Sequence, residues 1–216
     1  IVNYNTDDLT IQAVDSVNKH VKEIQYEIIV VDNCSPKGTN LKNRIKKCPN
    51  TSFYQLDENI GFGRANNYAH SKSTSEYIFL LNSDAYLIDD SLERMIEFLD
   101  KEINKSIACL GAKILDENLE LNNAYGKFYS LKDIKSDFGI KKKKNKISGL
   151  VNFDSIKEVD YIIGAAVLIR NSVIQKLSLF SPKYFMYYED MDLAFRYKKN
   201  GYLSKIDPSY SFVHIG

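Results

Sequence analysis

The 216-residue chain is predicted to fold as an α/β protein with a mostly parallel central sheet flanked by helices. Three observations predict this class. Short apolar runs rich in β-branched residues recur along the chain, as is typical of buried strands. Stretches with apolar residues at helical spacing separate these runs. Short polar residues, mostly Asn, Asp and Ser, follow run after run, and ligands bind beyond the carboxyl ends of parallel strands.

The strands are predicted from apolar runs that are too short for helices. The last run is interrupted by the glycine and two alanines that begin at Gly164, and the first reads as the end of a strand. In chain order the predicted strands are Ile1–Val2, Glu27–Asp32, Tyr77–Leu81 and Tyr161–Arg170.

Three helices are predicted between and after these strands. The segment Asp7–Val21 carries apolar residues every four positions. A second helix begins after Asp89 or Asp90 and presents an apolar face that ends at Leu99. A third covers 189–200 and ends at a glycine, the residue that most often terminates a helix.

Composition excludes several classes of protein. A chain of this length forms one domain and buries enough surface to be stable without disulfides. Its net charge of +1 gives no reason to expect a nucleic-acid partner. Its three cysteines form no C-x-x-C pair, which favours a reducing compartment such as the cytoplasm. The chain opens inside an apolar run without a methionine, so we expect a segment of a longer protein, truncated at both ends.

The segment Asn82-Ser83-Asp84 directly follows the Tyr77–Leu81 strand. A carboxylate at a strand end can hold Mg²⁺ or Mn²⁺, but a single one needs substrate phosphates to complete the coordination. His214 is a second candidate ligand, because imidazole binds Mn²⁺-type ions. The alternatives are that Asp84 caps a turn and that His214 is an ordinary buried histidine.

The segment 59–67 (NIGFGRANN) is a glycine-bearing turn into a helix. It is not a Rossmann fingerprint, because a third glycine is missing at position 66 and no buried strand immediately precedes it. The P-loop pattern is absent from the chain. The turn therefore remains a place where backbone can approach a phosphate or a base.

Glu189, Asp190 and Asp192 crowd the start of the third predicted helix, behind the aromatic segment 184–188 (YFMYY). Acids at this position often serve only as caps. Crowded carboxylates beside aromatic rings, however, tend to have a raised pKa, which suits a general base. Asp192 and Arg196 have the spacing of an intrahelical ion pair, which would leave the first two carboxylates free to act.

Residues 127–157 hold nine lysines against three acidic residues, and 141–146 hold five of those lysines. This segment reads as an inserted, solvated loop. The alternative is that its lysines attract an anionic acceptor or the inner membrane surface.

Together these motifs resemble the glycosyltransferases of family 2 with the GT-A fold, especially the rhamnosyltransferase-like branch, nearly from end to end. The resemblance implies a nucleotide-sugar half over 1–100 and an acceptor half over 101–216. It implies a nucleotide-sugar site of Asn3, Tyr4, Asn5, Asp32, Asn59, Gly61, Phe62, Asn67, Asn82 and Ser83. It also implies metal ligation by Asp84 and His214, and a catalytic group of Glu189, Asp190 and Asp192 with Asp190 as the base.

The resemblance further implies transfer of a sugar, with inversion, from a UDP- or dTDP-sugar to a saccharide or lipid-linked acceptor, in bacterial-type cell-surface polysaccharide or glycolipid synthesis. The resemblance also implies a divalent cation, Mg²⁺ or Mn²⁺, as cofactor. It implies a cytoplasmic location, with peripheral contact at the inner face of the cell membrane. Asn82 stands where the family's D-x-D motif has its first aspartate, which removes one charge from the metal site. Two alternatives are an inactive sugar-nucleotide-binding module and, with less support, a sugar nucleotidyltransferase, whose Gly-rich first loop is missing here.

Overall fold

The computed structural model describes residues 1–36, 40–128 and 149–216. Its first sheet is built by the N-terminal part of the chain. There β1 (Val2–Asn3), β2 (Ile28–Asp32) and β3 (Thr51–Gln55) pair in parallel. The helices α1 (Asp7–His20) and α2 (Leu41–Ile45) provide the crossovers that parallel neighbours require.

A second, seven-stranded sheet forms most of the remaining core. Its order is β4-β11-β6-β12-β5, with β7 paired to β6 and β9 paired to β12. A separate two-stranded ribbon consists of β8 and β10. The strands are β4 (Tyr77–Leu81), β5 (Ala85–Leu87), β6 (Ile107–Leu115), β7 (Leu121–Asn122), β8 (Tyr125–Gly126), β9 (Lys157–Val159), β10 (Tyr161–Ile162), β11 (Ala166–Arg170) and β12 (Leu203–His214).

The α/β class is confirmed, but parallel pairing is less widespread than the sequence suggested. In the larger sheet β6 and β12 run parallel, whereas β4 with β11, β11 with β6, and β12 with β5 run antiparallel. The reason is that an apolar run covered on both faces has the same composition whichever way its neighbour runs. Strand direction was therefore not readable from those runs.

The remaining helices are α3 (Phe62–His70), α4 (Ser91–Asp100), α5 (Asn171–Leu177) and α6 (Glu189–Lys199). All three helices predicted from the sequence are present, with bounds that agree to within about two residues. The Tyr161–Arg170 run divides into β10 and β11 around Gly164, as its interruption indicated.

The core lies where α1 packs on β5 and α4 packs on β12. Val14 of α1, Met95 of α4 and Phe212 of β12 are completely buried there. Because β12 pairs with β6 on one side and with β5 on the other, the C-terminal His214 lies opposite Ala85, one residue after Asp84. This pairing brings the end of the chain to the segment that follows β4.

Candidate functional site

Asn3 and Asp32 occupy the carboxyl ends of the neighbouring strands β1 and β2 and are both buried. The Asn3 Nδ2 donates to Asp32 Oδ2 at 3.0 Å, and the backbone N–H of Ser35 donates to Asp32 Oδ1 at 2.7 Å. The Asn3 Oδ1 accepts from the hydroxyls of Thr6 and Thr10, both at 2.9 Å. These bonds lock the strand ends into one polar cluster, which the sequence identified only in part, since Thr6, Thr10 and Ser35 were not named.

Tyr4 and Asn5 turn outward from this cluster. Tyr4 is 44% exposed, and Asn5 has a φ of 58°, a left-handed conformation that asparagine tolerates better than most residues. The Asn5 backbone N–H donates to Ser35 Oγ at 2.9 Å, so the turn is tied to the end of β2. An exposed tyrosine ring therefore stands beside the polar strand ends.

Asn59 joins the end of β2 to the start of α3. Its Oδ1 accepts from Asn33 Nδ2 at 2.8 Å and from the Gly61 backbone N–H at 3.0 Å. The Asn33 Oδ1 in turn accepts from the Ile60 backbone N–H at 3.0 Å. Asn33 directly follows Asp32 at the end of a predicted strand, but the resemblance did not assign it to the nucleotide-sugar site.

The start of α3 lies against the segment that leads to α6, through Gly61, Phe62 and Asn67. The Phe62 backbone N–H donates to the Phe185 carbonyl at 2.9 Å. The Asn67 side chain makes two bonds with the backbone of Phe180, at 2.8 and 2.9 Å. The first turns of α3 therefore contact the loop before α6 directly.

Asp84 and His214 lie together, with Nε2 of the histidine 3.2 Å from Oδ1 of the aspartate. The hydrogen bond from His214 holds the pKa of Asp84 below its usual value, in spite of partial burial that acts in the opposite direction. The Ser83 and Thr6 hydroxyls lie within hydrogen-bond distance, at 2.9 Å, which joins this segment to the end of β1. The two residues that the resemblance implied as metal ligands are thus neighbours in space, 130 positions apart in the chain.

Asn82 directly follows β4 and bears on whether a divalent cation fits here. Its backbone N–H donates to the Ala165 carbonyl at 2.9 Å, whereas its buried Oδ1 has no hydrogen-bond partner among the described residues. An orphaned amide oxygen two residues before a carboxylate is a donor set that suits an oxygen-preferring ion. Within the described ranges no group of three or more His, Cys, Asp or Glu side chains could hold a metal ion, so substrate oxygens would have to complete the coordination.

Glu189 and Asp190 begin α6 directly after two strained residues. Tyr187 and Tyr188 have φ angles of 70° and 67°, a left-handed conformation that is uncommon for bulky residues. Glu189 is only 8% exposed, and burial raises its pKa. Burial also raises the pKa of Asp190, although the backbone N–H groups of Met191 and Gly164 stabilise the charged form.

Asp192 has a different environment from the other two carboxylates. Its Oδ2 accepts from Arg196 Nε at 2.7 Å, which confirms the predicted intrahelical pair. The same guanidinium donates to the carbonyls of Leu177, Ser178 and Leu179. Asp192 therefore contributes to a network that holds the end of α5 against α6.

Glu189 and Asp190, here called the acidic pair, meet the Asn82–Asp84 segment at the connection between β10 and β11. Gly164 and Asp190 line the same small cavity, where the Gly164 N–H lowers the pKa of the Asp190 carboxyl, and the next residue, Ala165, accepts the N–H of Asn82. The sequence had marked Gly164 only as an interruption of a strand. In the structure it connects the two motifs that carry the proposed chemistry.

Exposed aromatic and apolar side chains border the acidic pair. The most exposed of them is Tyr187, at 72%. Monomeric soluble proteins rarely expose large contiguous apolar patches unless these take part in binding. The exposed members of the segment before α6 are Phe185, Met186, Tyr187 and Tyr188.

A cavity of about 330 Å³ lies elsewhere, between β2 and β4, and is lined by residues such as Ile28, Tyr77 and Phe79. The predicted site residues are not part of its lining. Most of the lysine-rich segment, including 141–146, lies outside the described residues. In the described parts of the chain no helix is both long and apolar enough to cross a membrane.

Comparison with curated proteins identifies bacterial relatives. The chain is 28% identical to rhamnosyltransferase WbbL of Escherichia coli (strain K12), over 99% of this chain and 81% of that protein. It is 38% identical over 60 residues to an N-acetylglucosaminyl-diphospho-decaprenol L-rhamnosyltransferase of Mycobacterium tuberculosis, a match that covers 28% of this chain and 20% of the relative.

Comparison with solved structures shows the GT-A fold. The structure of GalNAc-T7 with UDP, GalNAc and Mn²⁺ matches with a TM-score of 0.75 at 15% identity, covering all of this chain and 43% of that one. The structure of S. aureus TarS 1-349 with UDP-GlcNAc matches with a TM-score of 0.69 at 16% identity, over 100% of this chain and 57% of that one. The chain thus spans about half the length of these structures. The family model described as Glycosyl transferase family 2 matches residues 1–177, and the chain belongs to that family.

Proposed function

We propose that the chain transfers a sugar, with inversion, from a nucleoside-diphosphate sugar to an acceptor hydroxyl. The observation that carries this proposal is the meeting of Asp190 and Asn82 on the consecutive residues Gly164 and Ala165. A half-buried carboxylate with a raised pKa thereby lies beside the polar end of β4. Those are the two kinds of group, a proton acceptor and a diphosphate-binding edge, that such a transfer needs.

The donor would bind at the carboxyl ends of β1, β2 and β4. The exposed ring of Tyr4 offers a stacking surface for a base, and Asp32 organises the turn below it. Solved structures of the same fold hold UDP, UDP-GlcNAc or GDP-mannose, which supports a nucleotide-sugar donor. From the rhamnosyltransferase relatives we propose a UDP- or dTDP-sugar.

In the reaction, the acceptor hydroxyl would give its proton to the Asp190 carboxylate while its oxygen bonds to the anomeric carbon. The bond from that carbon to the diphosphate breaks, and the nucleoside diphosphate leaves with the bonding electrons. Glu189 and the exposed aromatic side chains at 185–188 would orient the acceptor. Asp192 would act indirectly, through Arg196.

Asp84, His214 and the orphaned Asn82 oxygen would hold a divalent cation, Mg²⁺ or Mn²⁺. When bound, the ion would neutralise charge that develops on the departing diphosphate. Two solved structures of the same fold contain Mn²⁺, which supports this assignment. Asn82 supplies an oxygen without a charge, so we expect a weaker site than one built from two aspartates.

The acceptor is proposed to be a saccharide or a lipid-linked saccharide, in the synthesis of a cell-surface polysaccharide or glycolipid. Relatives named for succinoglycan, teichuronic acid and poly(ribitol-phosphate) modification support this class. We propose that the enzyme works in the cytoplasm, at the inner face of the membrane where lipid-linked acceptors are presented.

Release of free nucleoside diphosphate tests the proposal. The protein is incubated with a panel of UDP- and dTDP-sugars and Mn²⁺, with and without short saccharide or lipid-linked acceptors. We expect release from one donor, faster with a suitable acceptor and slower after EDTA treatment. Tight nucleotide binding without any release would indicate an inactive binding module. Formation of a nucleoside triphosphate and a sugar 1-phosphate, when inorganic diphosphate is added to the nucleotide sugar, would indicate a nucleotidyltransferase.

A further inference from the structure

We propose that the start of α3, namely Gly61, Phe62, Gly63, Arg64 and Asn67, is a positioning clamp for the acidic pair. It would hold the segment 180–185 in place, and with it Glu189 and Asp190, rather than serve mainly as a nucleotide contact. This inference rests on the proposed function in so far as Asp190 is the base. Its structural part can be tested without any activity.

Asn67 supplies the first part of the clamp. Its Nδ2 donates to the Phe180 carbonyl at 2.8 Å, and its Oδ1 accepts the Phe180 N–H at 2.9 Å. Both ends of the carboxamide are therefore bonded to one backbone unit, 113 positions away in sequence. An amide that is engaged at both ends has little left to offer a nucleotide.

Arg64 and Phe62 extend the contact along the same segment. The Nε and Nη2 of Arg64 both donate to the Pro182 carbonyl, at 2.9 and 2.6 Å. The Phe62 backbone N–H donates to the Phe185 carbonyl at 2.9 Å. Together with Asn67, these bonds fasten three positions between 180 and 185 to less than two turns of helix.

The two glycines allow this close approach. A Cβ at Gly61 would lie 2.2 Å from the Phe185 carbonyl oxygen, which no side chain can tolerate, and the φ of Gly61 is +85°. A Cβ at Gly63 would lie 3.1 Å from the Phe180 Cβ and 3.7 Å from the Glu189 Cβ. The helix thus contacts the segment, and it approaches the first residue of the acidic pair so closely that an added methyl group would touch it.

The strain at Tyr187 and Tyr188 explains why such a clamp is needed. Two consecutive bulky residues with positive φ persist only where the structure on both sides holds them. On one side α6 is fixed by the bonds of Arg196 to the 177–179 carbonyls. On the other side the hold comes from α3, so loosening α3 would let the acidic pair move.

The test compares Asn67→Ala with Asn200→Ala. Asn200 is a matched control, because its Nδ2 also bonds a backbone carbonyl, that of Arg196 at 2.8 Å, but at the far end of α6. We expect Asn67→Ala to speed tryptic cleavage after the exposed Lys183 and to lower kcat by about 10- to 100-fold, as a small misplacement of a catalytic group does. The Kd for UDP should stay within about 2-fold, which separates positioning from nucleotide contact.

A second variant guards against simple unfolding. Gly63→Ala favours the helix but pushes against Phe180, so kcat should fall several-fold without a lower Tm. Unchanged cleavage at Lys183 in Asn67→Ala would overturn the clamp, as would a 10-fold weaker UDP affinity with kcat retained. A wild-type protein that transfers no sugar would overturn the proposed function instead, since the cleavage result does not depend on activity.

Discussion

Glu189 has a buried carboxylate oxygen, Oε2, without a hydrogen-bond partner among the described residues. An ionised carboxylate in such a place is costly, which is why burial raises its pKa. Burial is also the main reason why the pKa of the neighbouring Asp190 is raised. Two adjacent acids with raised pKa values in a folded protein indicate a site kept for chemistry at the expense of stability.

Glu189→Gln should therefore stabilise the protein at neutral pH. The pKa of Glu189 is raised in the folded state, so its stability penalty is absent below pH 4.5, where both states are protonated. The penalty appears as the pH rises through the folded pKa. Removing the charge should raise Tm by a few degrees at pH 8, since about 1 kcal/mol corresponds to about 2–4 °C for a domain of this size.

Thermal unfolding at pH 4 and pH 8 checks this, with Glu102→Gln as control because Glu102 is 83% exposed. The control should show no difference at either pH. A Glu189→Gln variant whose Tm equals that of the wild type at pH 8 would contradict the assignment of the raised pKa.

Some site residues could be identified from the sequence, whereas others could not. Asp84 and His214 could be paired from the sequence only by ligand chemistry and by resemblance, because β12 brings them together across 130 positions. The acids at 189–192 were visible from their crowding alone. The Asn67 contact was not readable, because its partner is the backbone of Phe180, and a backbone group leaves no signature in a sequence.

At the scale of elements, Arg196 fastens α6 to the end of α5. Its guanidinium bonds Asp192 and three backbone carbonyls, a geometry that a lysine ammonium cannot reproduce. Arg196→Lys should cost about 2 kcal/mol, since bonds to a charged group are worth about 1.5–3 kcal/mol each and only some would be lost. Thermal or urea unfolding measures the change.

Arg44→Lys is the matched control for that prediction. Arg44 pairs with Asp8 at 2.6 Å, but the Asp8 side chain is 92% exposed. Exposed pairs contribute little, so this variant should stay within about 0.5 kcal/mol of the wild type. Equal losses for the two arginines would show that Arg196 does not hold the two helices together.

The elements that the sequence revealed were those with strong local patterns. Tyr77–Leu81 is predicted and found with the same bounds, because five consecutive apolar residues leave no other reading. The 12-residue β12 was not predicted, because it contains Pro208 and alternates polar residues. It is a strand because β6 and β5 pair with it on either side, which is tertiary information.

At the scale of the whole molecule, the site draws on both parts of the chain. Asn3 and Asp32 come from the first sheet, whereas Asp84, His214 and the acidic pair come from the second sheet and α6. The α/β class could be predicted from the hydrophobic periodicity of the chain. That class in turn predicted that the binding residues lie at the carboxyl ends of the strands. The antiparallel pairs in the larger sheet did not follow, because buried strands of either direction have the same composition.

The most direct measurement is the rate of sugar transfer by Asp190→Asn, with UDP affinity measured on the same protein. Asparagine keeps the shape of the side chain but cannot accept the acceptor proton. We expect kcat to fall by about 10²- to 10⁴-fold, the usual range for loss of a general base, while the Kd for UDP stays within about 2-fold. Transfer at the wild-type rate in this variant would contradict the account.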